Sequence, residues 1–467
     1  MSTAILWLRR DLRLHDQPAL RAALDGAERV VPVFCFDDGL LKGRHASGSR
    51  TQFLLECLAD LDRSLRERGS RLFVRHGRPD RELLRLARDL QARTVHFSDD
   101  ASPFARTRQE QVTHALRAQG ISAEPHPGLF AVDRPSDVRT GSGDPYTVFT
   151  PFHRKWEAQP RREVLAAPPR LPDPGSRVTA GALPRLVDLG LEQECLDPMP
   201  GGEQAARRAL GRFLRGPLEG YHDGRDVLTG EHVSRLSPYL HFGCLSPREV
   251  EVRLGSGQGA AAFRRQLCWR DFYAHVLGHF PANARSEYQA RYRGQIRWSH
   301  ARQRFAAWCE GATGFPAVDA GMRQLRREGW MHNRARLLVG SFLTKDLGID
   351  WRWGERWFMR LLLDGDEASN NGNWQWIASV GVDPQPAFRR IFNPARQQAR
   401  FDPGGEYVRR YVPELAGVPD RYLSEPWTMP DEVQAQAGCR IGTDYPGPIV
   451  DHRQARAEAL ERYRVGG

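Results

Sequence analysis

Tryptophan is concentrated in one stretch of this chain of 467 residues. Eight of the 12 Trp fall within 79 positions, and they are Trp298, Trp308, Trp330, Trp351, Trp353, Trp357, Trp374 and Trp376. Trp is large, it is readily oxidised, and its N–H needs a hydrogen-bond partner when it is buried. A cluster of this density predicts one of three arrangements: a stacked core, an aromatic platform for a ligand, or a relay for electrons.

Two polar strings that contain Gly or charged residues lie among these Trp, at 330–336 and 364–376. In the second, Asp364 and Asp366 flank a Gly and could bind a metal, accept from sugar hydroxyls or pair with Arg. A metal is disfavoured because no second acidic cluster follows nearby, and capping of a helix is an alternative. The next residues, Asn370-Asn371-Gly372, favour a tight turn. Two adjacent amides could also bind the edge of a heterocycle, since each donates and accepts.

Three further motifs have simpler interpretations. The glycines of 255–259 resemble half of a dinucleotide loop, but no strand precedes them, so they predict a loop between helices. His275 and His279 share a helix face with apolar neighbours, which indicates core rather than a metal site. The string S-R-L-S-P-Y-L at 234–240 could hold phosphates at a helix start. Taken alone, that string fits N-capping better.

The elements that must position these residues begin with an alternating pattern over about 130 residues. Strand-like runs in it are Ala4–Leu8, Val30–Phe36, Arg71–Arg75 and Thr94–Ser98. Between these runs the spacing of Leu and Ala is helical, and such alternation predicts an α/β domain with a parallel, Rossmann-like sheet. Sheets of this kind place ligands at the carboxyl ends of their strands. Here those ends are near residues 9–16, 36–39 and 99–104.

The remainder of the chain divides into a connector and a helical part. Residues 131–202 are rich in Pro and Gly, which predicts a long interdomain linker that is partly ordered around Tyr146–Trp156. From residue 203 onward the pattern is helical almost throughout. We therefore expect an α/β domain over 1–130, a linker over 131–202 and an all-α domain over 203–467.

The charge balance favours a polyanionic partner. The net charge is +11 and the isoelectric point is about 9.6, which suits nucleic acid. A basic surface without such a partner is the alternative. Only three of the 68 basic residues are Lys. So strong a bias towards Arg makes any single Arg weak evidence for a phosphate site.

The cysteine pattern and the lack of a targeting segment indicate the compartment. The chain has seven Cys and no C-x-x-C, which suggests neither a disulfide framework nor a zinc site and fits a reducing cytosol. No apolar run has the length of a membrane span, and the first residues do not form a secretion signal. We therefore expect a cytoplasmic protein with no membrane partner and no metal.

Several strings are more specific together than any of them is alone. They are L-C-W-R-D-F-Y (267–273), G-W-M-H-N-R-A-R (329–336), F-L-T-K-D-L-G-I-D-W-R (342–352), the string at 362–376, and F-R-R-I-F-N-P (388–394). Their order and spacing resemble those of the DNA photolyase/cryptochrome family. The opening at 7–16 and the string at 444–452 match as well, so the resemblance covers nearly the whole chain. It is closest to the microbial cyclobutane pyrimidine dimer photolyases.

This resemblance implies an α/β antenna domain and an all-helical domain that binds FAD. The implied flavin-contact positions are Tyr221, Val233, Ser234, Arg235, Leu236, Ser237, Arg270, Arg336, Asp364, Gly365, Asp366 and Asn370. Asp366 is then expected near the isoalloxazine edge, Arg336 would neutralise Asp364, and Asn370 would face the reactive ring nitrogen of the flavin. A hydroxyl residue is usual where Val233 stands, so one phosphate contact is expected to be missing.

The resemblance also implies roles for the Trp cluster and for a DNA-binding face. Trp298, Trp351 and Trp374 match the three-Trp chain that carries an electron from the surface to the flavin. The implied contacts to the lesion or to the DNA backbone are Arg225, Gln266, Trp269, Asn333, Arg334, Trp376 and Gln397. Of these, Trp269 and Trp376 would grip a flipped dimer by stacking. Either Arg389 or Arg390 could match a further Arg of the family.

The implied activity is light-driven repair of cyclobutane pyrimidine dimers in UV-damaged DNA. Excited reduced FAD would give an electron to the dimer, the ring would split and the electron would return. Asn370, Asn333 and Gln266 would lie at the reacting groups. Gln266 replaces a usual Glu and Leu337 a usual Met, so repair is expected to be slower or the substrate altered.

Two other activities and the identity of an antenna stay open. A blue-light photoreceptor without repair is one alternative, although no long tail follows the last predicted helix. A six-four photoproduct enzyme is the other, but Asn333 stands where such enzymes carry His. Phe104-Ala105 replaces the polar-acidic pair of folate-binding relatives, and residues 100–106 resemble deazaflavin-binding ones. A deazaflavin-type antenna is therefore favoured over folate, with no antenna as a further alternative, and the protein is expected to be a monomer.

Overall fold

The protein, described by a computed structural model over residues 2–175, 178–230, 232–383 and 385–464, begins with a parallel sheet. Within those ranges its strands are β1 (Thr3–Leu8), β2 (Arg29–Phe36), β3 (Phe73–His76), β4 (Thr94–Ser98) and β5 (Ser122–His126). Their order is β3-β2-β1-β4-β5, and every neighbouring pair is parallel. The central strand β1 is buried along its whole length, as expected for a parallel sheet covered on both faces.

Helices cover both faces of this sheet. They are α1 (Pro18–Gly26), α2 (Asp38–Leu41), α3 (Gly48–Arg66), α4 (Pro79–Leu90) and α5 (Pro103–Arg117). The sequence pattern predicts β1 to β4 with ends shifted by no more than two residues, and the α/β class is confirmed. It does not predict β5, because S-A-E-P-H is too polar to read as a strand. A polar strand with a Pro is tolerated there, since β5 lies at the sheet edge.

The linker is held against the helical part at one buried carboxylate. Its helix α6 (Phe149–Glu157) carries Trp156, whose indole N–H donates to Asp271 at 2.9 Å. The backbone N–H groups of Ala131 and Val132 donate to the same carboxylate at 3.1 and 3.2 Å. Burial raises the pKa of Asp271 to about 6, against the lowering effect of Arg270 and these donors. The start of the linker is therefore ordered by hydrogen bonds that its composition does not predict.

The C-terminal part is all-helical, as the pattern predicts. Its α-helices are α7 (Glu203–Arg215), α8 (Tyr221–Gly224), α9 (Ser237–His241), α10 (Pro247–Arg253), α11 (Gln258–His279), α12 (Arg302–Glu310), α13 (Pro316–Glu328), α14 (Asn333–Ser341), α15 (Trp351–Leu361), α16 (Glu367–Ile377), α17 (Pro394–Phe401), α18 (Glu406–Tyr411), α19 (Asp431–Ala437) and α20 (His452–Arg462). A π-helical turn at Phe342–Asp346 continues α14. Trp308, Trp351 and Trp374 are buried in the core that these helices share.

The tight turn predicted at Asn370-Asn371-Gly372 is wrong, because these residues lie inside α16. Packing explains the difference. A Cβ on Gly372 would lie 2.1 Å from the ring of Tyr273 on α11, so Gly is the residue that lets the two helices approach. On the other side of α16, a Cβ on Gly354 of α15 would lie 2.1 Å from the Trp374 ring. Helix propensity depends only on local sequence and does not include these packing contacts between helices. In α16 the packing contacts outweigh the propensity.

The remaining motifs have mixed outcomes. The glycines at 255–259 lie mainly in the loop between α10 and α11, as predicted. His275 is fully buried and contacts the carbonyl oxygens of Pro135 and Tyr146, which confirms the core interpretation. N-capping by the serines of 234–240 is wrong, since the cap of α9 is Leu236 and no side chain caps it. The hydroxyl of Ser234 instead accepts from the N–H of Leu236 at 3.3 Å.

Candidate functional site

A cleft of about 330 Å³ lies in the helical part, between α8, α9, α11, α14, α15 and α16. It gathers segments that are far apart in sequence. Among the residues expected to bind flavin or DNA or to relay electrons, those that line it are Tyr221, Arg225, Val233, Ser234, Arg235, Leu236, Ser237, Gln266, Arg270, Asn333, Arg336, Asp364, Asp366, Asn370 and Trp374. Expected flavin contacts and expected lesion contacts therefore share one cavity.

The other expected site residues lie outside this lining. Gly365 lines a second cavity, beside Arg50. The expected site residues that line neither cavity are Trp269, Trp298, Arg334, Trp351, Trp376 and Gln397.

An ion pair on one wall leaves a free acceptor. Arg336 of α14 donates to one carboxylate oxygen of Asp364 at 2.8 Å and to the carbonyl of Met331 at 2.9 Å. Within the described residues the other oxygen, Oδ1 of Asp364, is buried and has no partner. An unsatisfied buried carboxylate oxygen is costly, so a ligand hydroxyl or N–H is expected to fill this position. A ribose or a flavin ring offers such groups.

The carboxylate of Asp366 has two structural partners. It caps α16 by accepting from the N–H of Ser369 at 2.8 Å, as the capping alternative predicts. Arg10, which follows β1, donates to its other oxygen at 2.6 Å. Burial alone would raise the pKa of Asp366, but the positive charges of Arg10 and of the more distant Arg270 outweigh burial and hold that pKa well below its ordinary value. Asp366 is therefore an anion at neutral pH.

The segment 233–237 forms the opposite wall in a constrained shape. Arg235 has a φ of +52°, which non-glycine residues seldom adopt. Its guanidinium forms an ion pair with Glu328 and lies 4.4 Å over the ring of Trp330. The indole N–H of Trp330 donates to the hydroxyl of Ser237 at 3.3 Å. These contacts place the two serine hydroxyls along the cleft, where they suit phosphate oxygens.

The amide of Asn370 is oriented by a backbone contact. Its nitrogen donates to the carbonyl of Glu355 on α15 at 3.0 Å. The amide oxygen is then the group that Asn370 offers to a ligand in the cleft, so Asn370 acts there as an acceptor.

The three Trp of the expected relay belong to one apolar cluster and differ in burial. Trp374 lines the cleft and packs against Phe358, with ring centroids 5.0 Å apart. Trp351, the first residue of α15, is buried, and Trp298 is half-buried. The three thus range from a residue that lines the cleft to one that is partly exposed. Trp308 belongs to the same cluster and lies 6.2 Å from Trp374, although the sequence does not single it out.

Two indoles at the rim are supported by aromatic or cationic neighbours. Trp269 stacks on Phe149 of the linker helix, with centroids 3.6 Å apart and an interplanar angle of 2°. Trp376 donates to Asp383 at 3.0 Å and lies 4.0 Å from the guanidinium of Arg390. Each indole thus has one supported face. The sequence does not indicate the contact between Phe149 and Trp269, because the two residues are far apart along the chain.

Arg389 and Arg390, either of which could match the further Arg of the family, differ in burial. Arg390 is 3% exposed and is held by Asp383 at 2.6 Å and by the carbonyl of Trp376 at 2.7 Å. Arg389 is exposed, and its guanidinium donates to the side chain of Gln385 at 2.6 Å. Arg390 therefore positions Trp376, and Arg389 is the one that faces solvent and could reach a phosphate.

The other expected DNA-contact residues differ in whether their side chains already have partners within the protein. Arg334 pairs with Asp226 at 2.8 Å and lies 4.2 Å over Phe401, so it is already engaged. Gln266 and Asn333 are exposed at the cleft. The side-chain amide oxygen of Gln397 is buried and has no hydrogen-bond partner within the described residues.

Comparison with known proteins agrees with this geometry. The chain matches the family described as DNA photolyase over residues 4–173 and the one described as the FAD binding domain of DNA photolyase over residues 263–465. The chain belongs to the DNA photolyase family. The photolyase FAD domain begins inside α11, so the match includes the expected flavin contacts from Arg270 to Asn370 and leaves out those between 221 and 237.

Curated photolyase relatives align along the whole chain. The deoxyribodipyrimidine photo-lyase of Streptomyces griseus is 43% identical, and the alignment covers 99% of both chains. The enzyme of the same name from Halobacterium salinarum is 41% identical, with 98% of both chains covered.

Solved structures of the photolyase family superimpose closely. A bacterial class III photolyase from Agrobacterium tumefaciens has a TM-score of 0.92 and 36% identity, with 99% of this chain and 97% of that one covered. A Synechocystis cryptochrome has a TM-score of 0.90 and 31% identity, with 100% and 99% covered. An archaeal photolyase from Sulfolobus tokodaii, described with two FAD molecules, has a TM-score of 0.84 and 31% identity, with 99% of both covered.

A second cavity, of about 710 Å³, opens at the carboxyl ends of β1, β2 and β4, where the sheet topology predicts ligand binding. Aromatic residues and arginines dominate its lining; among them are Trp7, Phe34, Phe36, Phe104, Arg9, Arg44 and Arg108. Within the described part of the chain, side-chain nitrogens of Arg9, Arg108 and His45 are buried there without partners. In a photolyase such a cavity suits an aromatic antenna chromophore with anionic groups.

Two general findings complete the description. Among the described residues, no group of His, Cys, Asp and Glu is arranged to hold a metal ion. Nor does any helix in these residues combine the length and apolar character that a membrane crossing requires.

Proposed function

We propose that this protein repairs cyclobutane pyrimidine dimers in UV-damaged DNA by using light absorbed by FAD in the helical cleft. The observation that carries the proposal is the shared cavity: expected flavin contacts such as Asp364 and expected lesion contacts such as Gln266 line the same cleft. Light-driven electron donation needs the cofactor and the lesion close together. Repair is therefore favoured over a photoreceptor role.

Residues of the cleft suit each part of FAD. The hydroxyls of Ser234 and Ser237 would bind the pyrophosphate. Val233 beside them has no hydroxyl and would make no such contact. The free oxygen of Asp364 would accept from a ribose hydroxyl or a ring N–H. The amide oxygen of Asn370 suits the protonated ring nitrogen of a reduced flavin, since an acceptor faces a donor.

When bound, FAD supplies the photoexcited electron that opens the cyclobutane ring and takes it back afterwards. The chain itself binds, orients and shields the reactants. Trp269 and Trp376 would stack on the flipped dimer, because each has one face already supported. Gln266 and Asn333 are exposed at the rim and would donate to pyrimidine carbonyls. The Trp relay would return the flavin to its reduced state.

Repair is tested by illuminating the purified protein with single-stranded DNA that contains one thymine dimer. We expect thymine absorbance to recover in blue light and not in the dark, together with one FAD per chain in the extracted cofactor. Parallel DNA with a six-four photoproduct should stay unchanged, since Asn333 stands where six-four enzymes carry His. Protein that folds well and takes up FAD but leaves the dimer intact would favour the photoreceptor.

Trp269→Ala is expected to reduce the preference for damaged over intact DNA. Losing one stacking platform should cost roughly 1–3 kcal/mol in binding of the damaged strand. Binding of intact DNA depends mainly on phosphate contacts and should fall steeply with salt in both proteins. The measurement is a titration of labelled damaged and intact DNA at two salt concentrations.

Trp353→Ala is the matched control, because Trp353 is also half-buried but packs edge-on against Phe305 of α12, outside the set of expected lesion contacts. It should leave the preference unchanged. An equal loss of affinity for both DNAs in Trp269→Ala would contradict its lesion-gripping role.

Gln266→Glu is expected to raise the yield of repair per absorbed photon. Gln266 lies at the cleft with an exposed amide, and a Glu there could share a proton with the dimer radical that an amide lacks. The natural protein should still repair dimers measurably. Quantum yield is compared between the natural protein, Gln266→Glu and Gln266→Leu, which removes the donor and should lower the yield. Three equal yields would remove Gln266 from the reacting groups.

For the second cavity we propose a deazaflavin-type antenna rather than a folate. Support comes from its aromatic lining and its unpartnered arginine nitrogens, which suit an aromatic ring with an anionic tail. The relative described with two FAD molecules indicates that a flavin-type ring can serve this purpose in the family. Extraction of the purified protein and mass spectrometry would identify the chromophore.

We further propose that the protein acts as a monomer in the cytoplasm. All seven cysteines are free and buried, which suits a reducing compartment. Sedimentation of the FAD-loaded protein tests whether it is a monomer, and fractionation of the source cells tests whether it is cytoplasmic.

A further inference from the structure

Arg10 joins the two cavities by contacting a carboxylate on each side. Its Nε and Nη2 donate to the two oxygens of Asp100 at 2.7 and 2.8 Å, and its Nη1 donates to Asp366 at 2.6 Å. Asp100 follows β4 and lines the sheet-edge cavity, whereas Asp366 caps α16 and lines the flavin cleft. Arg10 thus uses every guanidinium nitrogen on these two carboxylates.

No other cation contacts the Asp366 carboxylate at hydrogen-bond distance among the described residues. His241 lies 4.0 Å away, and burial lowers the pKa of its imidazole to about 3, so the ring is neutral. Arg270 donates instead to the carbonyls of Leu129 at 2.6 Å and Leu240 at 3.3 Å. The direct compensation of Asp366 therefore comes from the α/β domain and not from the helical domain that contains it.

We propose that Arg10 is a positioning residue for the flavin site, which holds the Asp366 carboxylate charged and aimed at the cleft. This inference rests on the proposed binding of FAD there. Asp366 lines both cavities, as does His241, so the wall between them is thin where Arg10 contacts Asp366. The α/β domain would thereby set part of the electrostatic environment of the flavin.

The ionisable groups around Asp366 determine what happens without Arg10. Those that face it or share its network are Arg10, Asp100, His241, Arg270 and Glu367. Burial raises the pKa of Glu367 to about 7, with Asp366 and Glu355 adding to the effect. Without Arg10, burial of Asp366 would be opposed only by Arg270 at a distance and by the Ser369 N–H. Asp366 would then take up a proton at mildly acidic pH.

The test measures FAD released from the holoprotein between pH 8 and pH 5, using the fluorescence of the free flavin. In Arg10→Gln we expect the dissociation constant to rise as pH falls, by up to about tenfold per pH unit. The natural protein should show a much flatter profile, because its Asp366 stays ionised. Arg10→Gln combined with Asp366→Asn should lose the slope, since the group that titrates has been removed.

Matched variants separate this effect from loss of structure. Arg161→Gln removes another part-buried ion pair, Arg161–Glu251 at 3.1 Å, away from both cavities, and should keep the natural profile. Asp100→Asn leaves the contact between Arg10 and Asp366 in place and should also keep the natural pH profile of FAD release. Thermal unfolding of each protein at pH 8 reports folding. If Arg10→Gln does not fold, Arg10→Lys carries the test, with a shallower slope that Asp366→Asn again abolishes.

Two results would overturn the inference in distinguishable ways. A natural pH profile in Arg10→Gln and Arg10→Lys, with FAD binding weakened in Asp366→Asn, removes the role of Arg10 and leaves the flavin site standing. Natural FAD binding in Asp366→Asn removes Asp366 from the flavin site, and the proposed cofactor geometry falls with it.

Discussion

Trp374→Phe is expected to abolish photoreduction of the oxidised flavin while repair by chemically reduced enzyme stays largely intact. Of the three Trp that the family resemblance assigns to a relay, Trp374 lines the cleft, Trp351 is buried and Trp298 is half-buried. Phe keeps much of the apolar contact but is far harder to oxidise than Trp. The repair electron goes from flavin to lesion and does not use this path. Flash illumination with and without dithionite measures the two reactions separately.

Trp308→Phe is the matched control for this prediction. Trp308 is fully buried in the same cluster, 6.2 Å from Trp374, and its N–H donates to the carbonyl of Val339 at 3.0 Å. Trp308→Phe makes the same chemical change at a position outside the expected relay, so photoreduction of the flavin should continue. If Trp374→Phe photoreduces at the natural rate, or if Trp308→Phe fails equally, the three-Trp assignment is wrong.

Gly372→Ala is expected to destabilise the helical domain strongly and to release FAD. Gly372 lies inside α16, where Ala would ordinarily be favoured by about 1 kcal/mol. Its new Cβ would lie 2.1 Å from the Tyr273 ring, and Tyr273 is buried with its hydroxyl donating to Asn373 at 3.2 Å. Overpacking of this kind costs about 1–3 kcal/mol or more. Because α16 carries Asn370, its displacement should also disturb the cleft.

Gly211→Ala tests whether the effect comes from packing rather than from the substitution itself. Gly211 lies inside α7, and the nearest atom to an added Cβ is the mobile end of Arg215 at 3.4 Å. The same change should there stabilise by about 0.4–1 kcal/mol. Thermal unfolding and bound FAD are measured for both proteins. A stable, FAD-loaded Gly372→Ala protein would show that α11 and α16 do not pack as described.

Local patterns predict most elements because they record which face of each segment is buried. Alternating strands and helices identify the α/β domain, and β1 to β4 fall within two residues of their predicted ends. The same rule fails at β5, where an edge strand needs little apolar surface. It fails again at α16, whose Asn and Gly residues discourage a helix. There Tyr273 of α11 packs against Gly372, and Trp374 of α16 packs against Gly354 of α15.

The site shows the same division. Motif order identifies the family and many of the residues that line the cleft, since these depend on residue type at matching positions. The contacts among them were decided by packing. Whether Arg389 or Arg390 is free depends on burial against Trp376, and the support of Trp269 by Phe149 joins the linker to α11.

Fold class, family and the kind of chemistry in the cleft can be predicted from the amino-acid sequence, because periodicity and motif spacing are local properties of the chain. Which charged residues contact each other depends on how the chain folds. Arg10 and Asp366 are 356 positions apart, and nothing in either neighbourhood indicates the other. Their contact exists because the carboxyl end of β1 is docked against the start of α16. Such a pairing is a consequence of how two domains are packed, and it therefore appears only when the chain is folded.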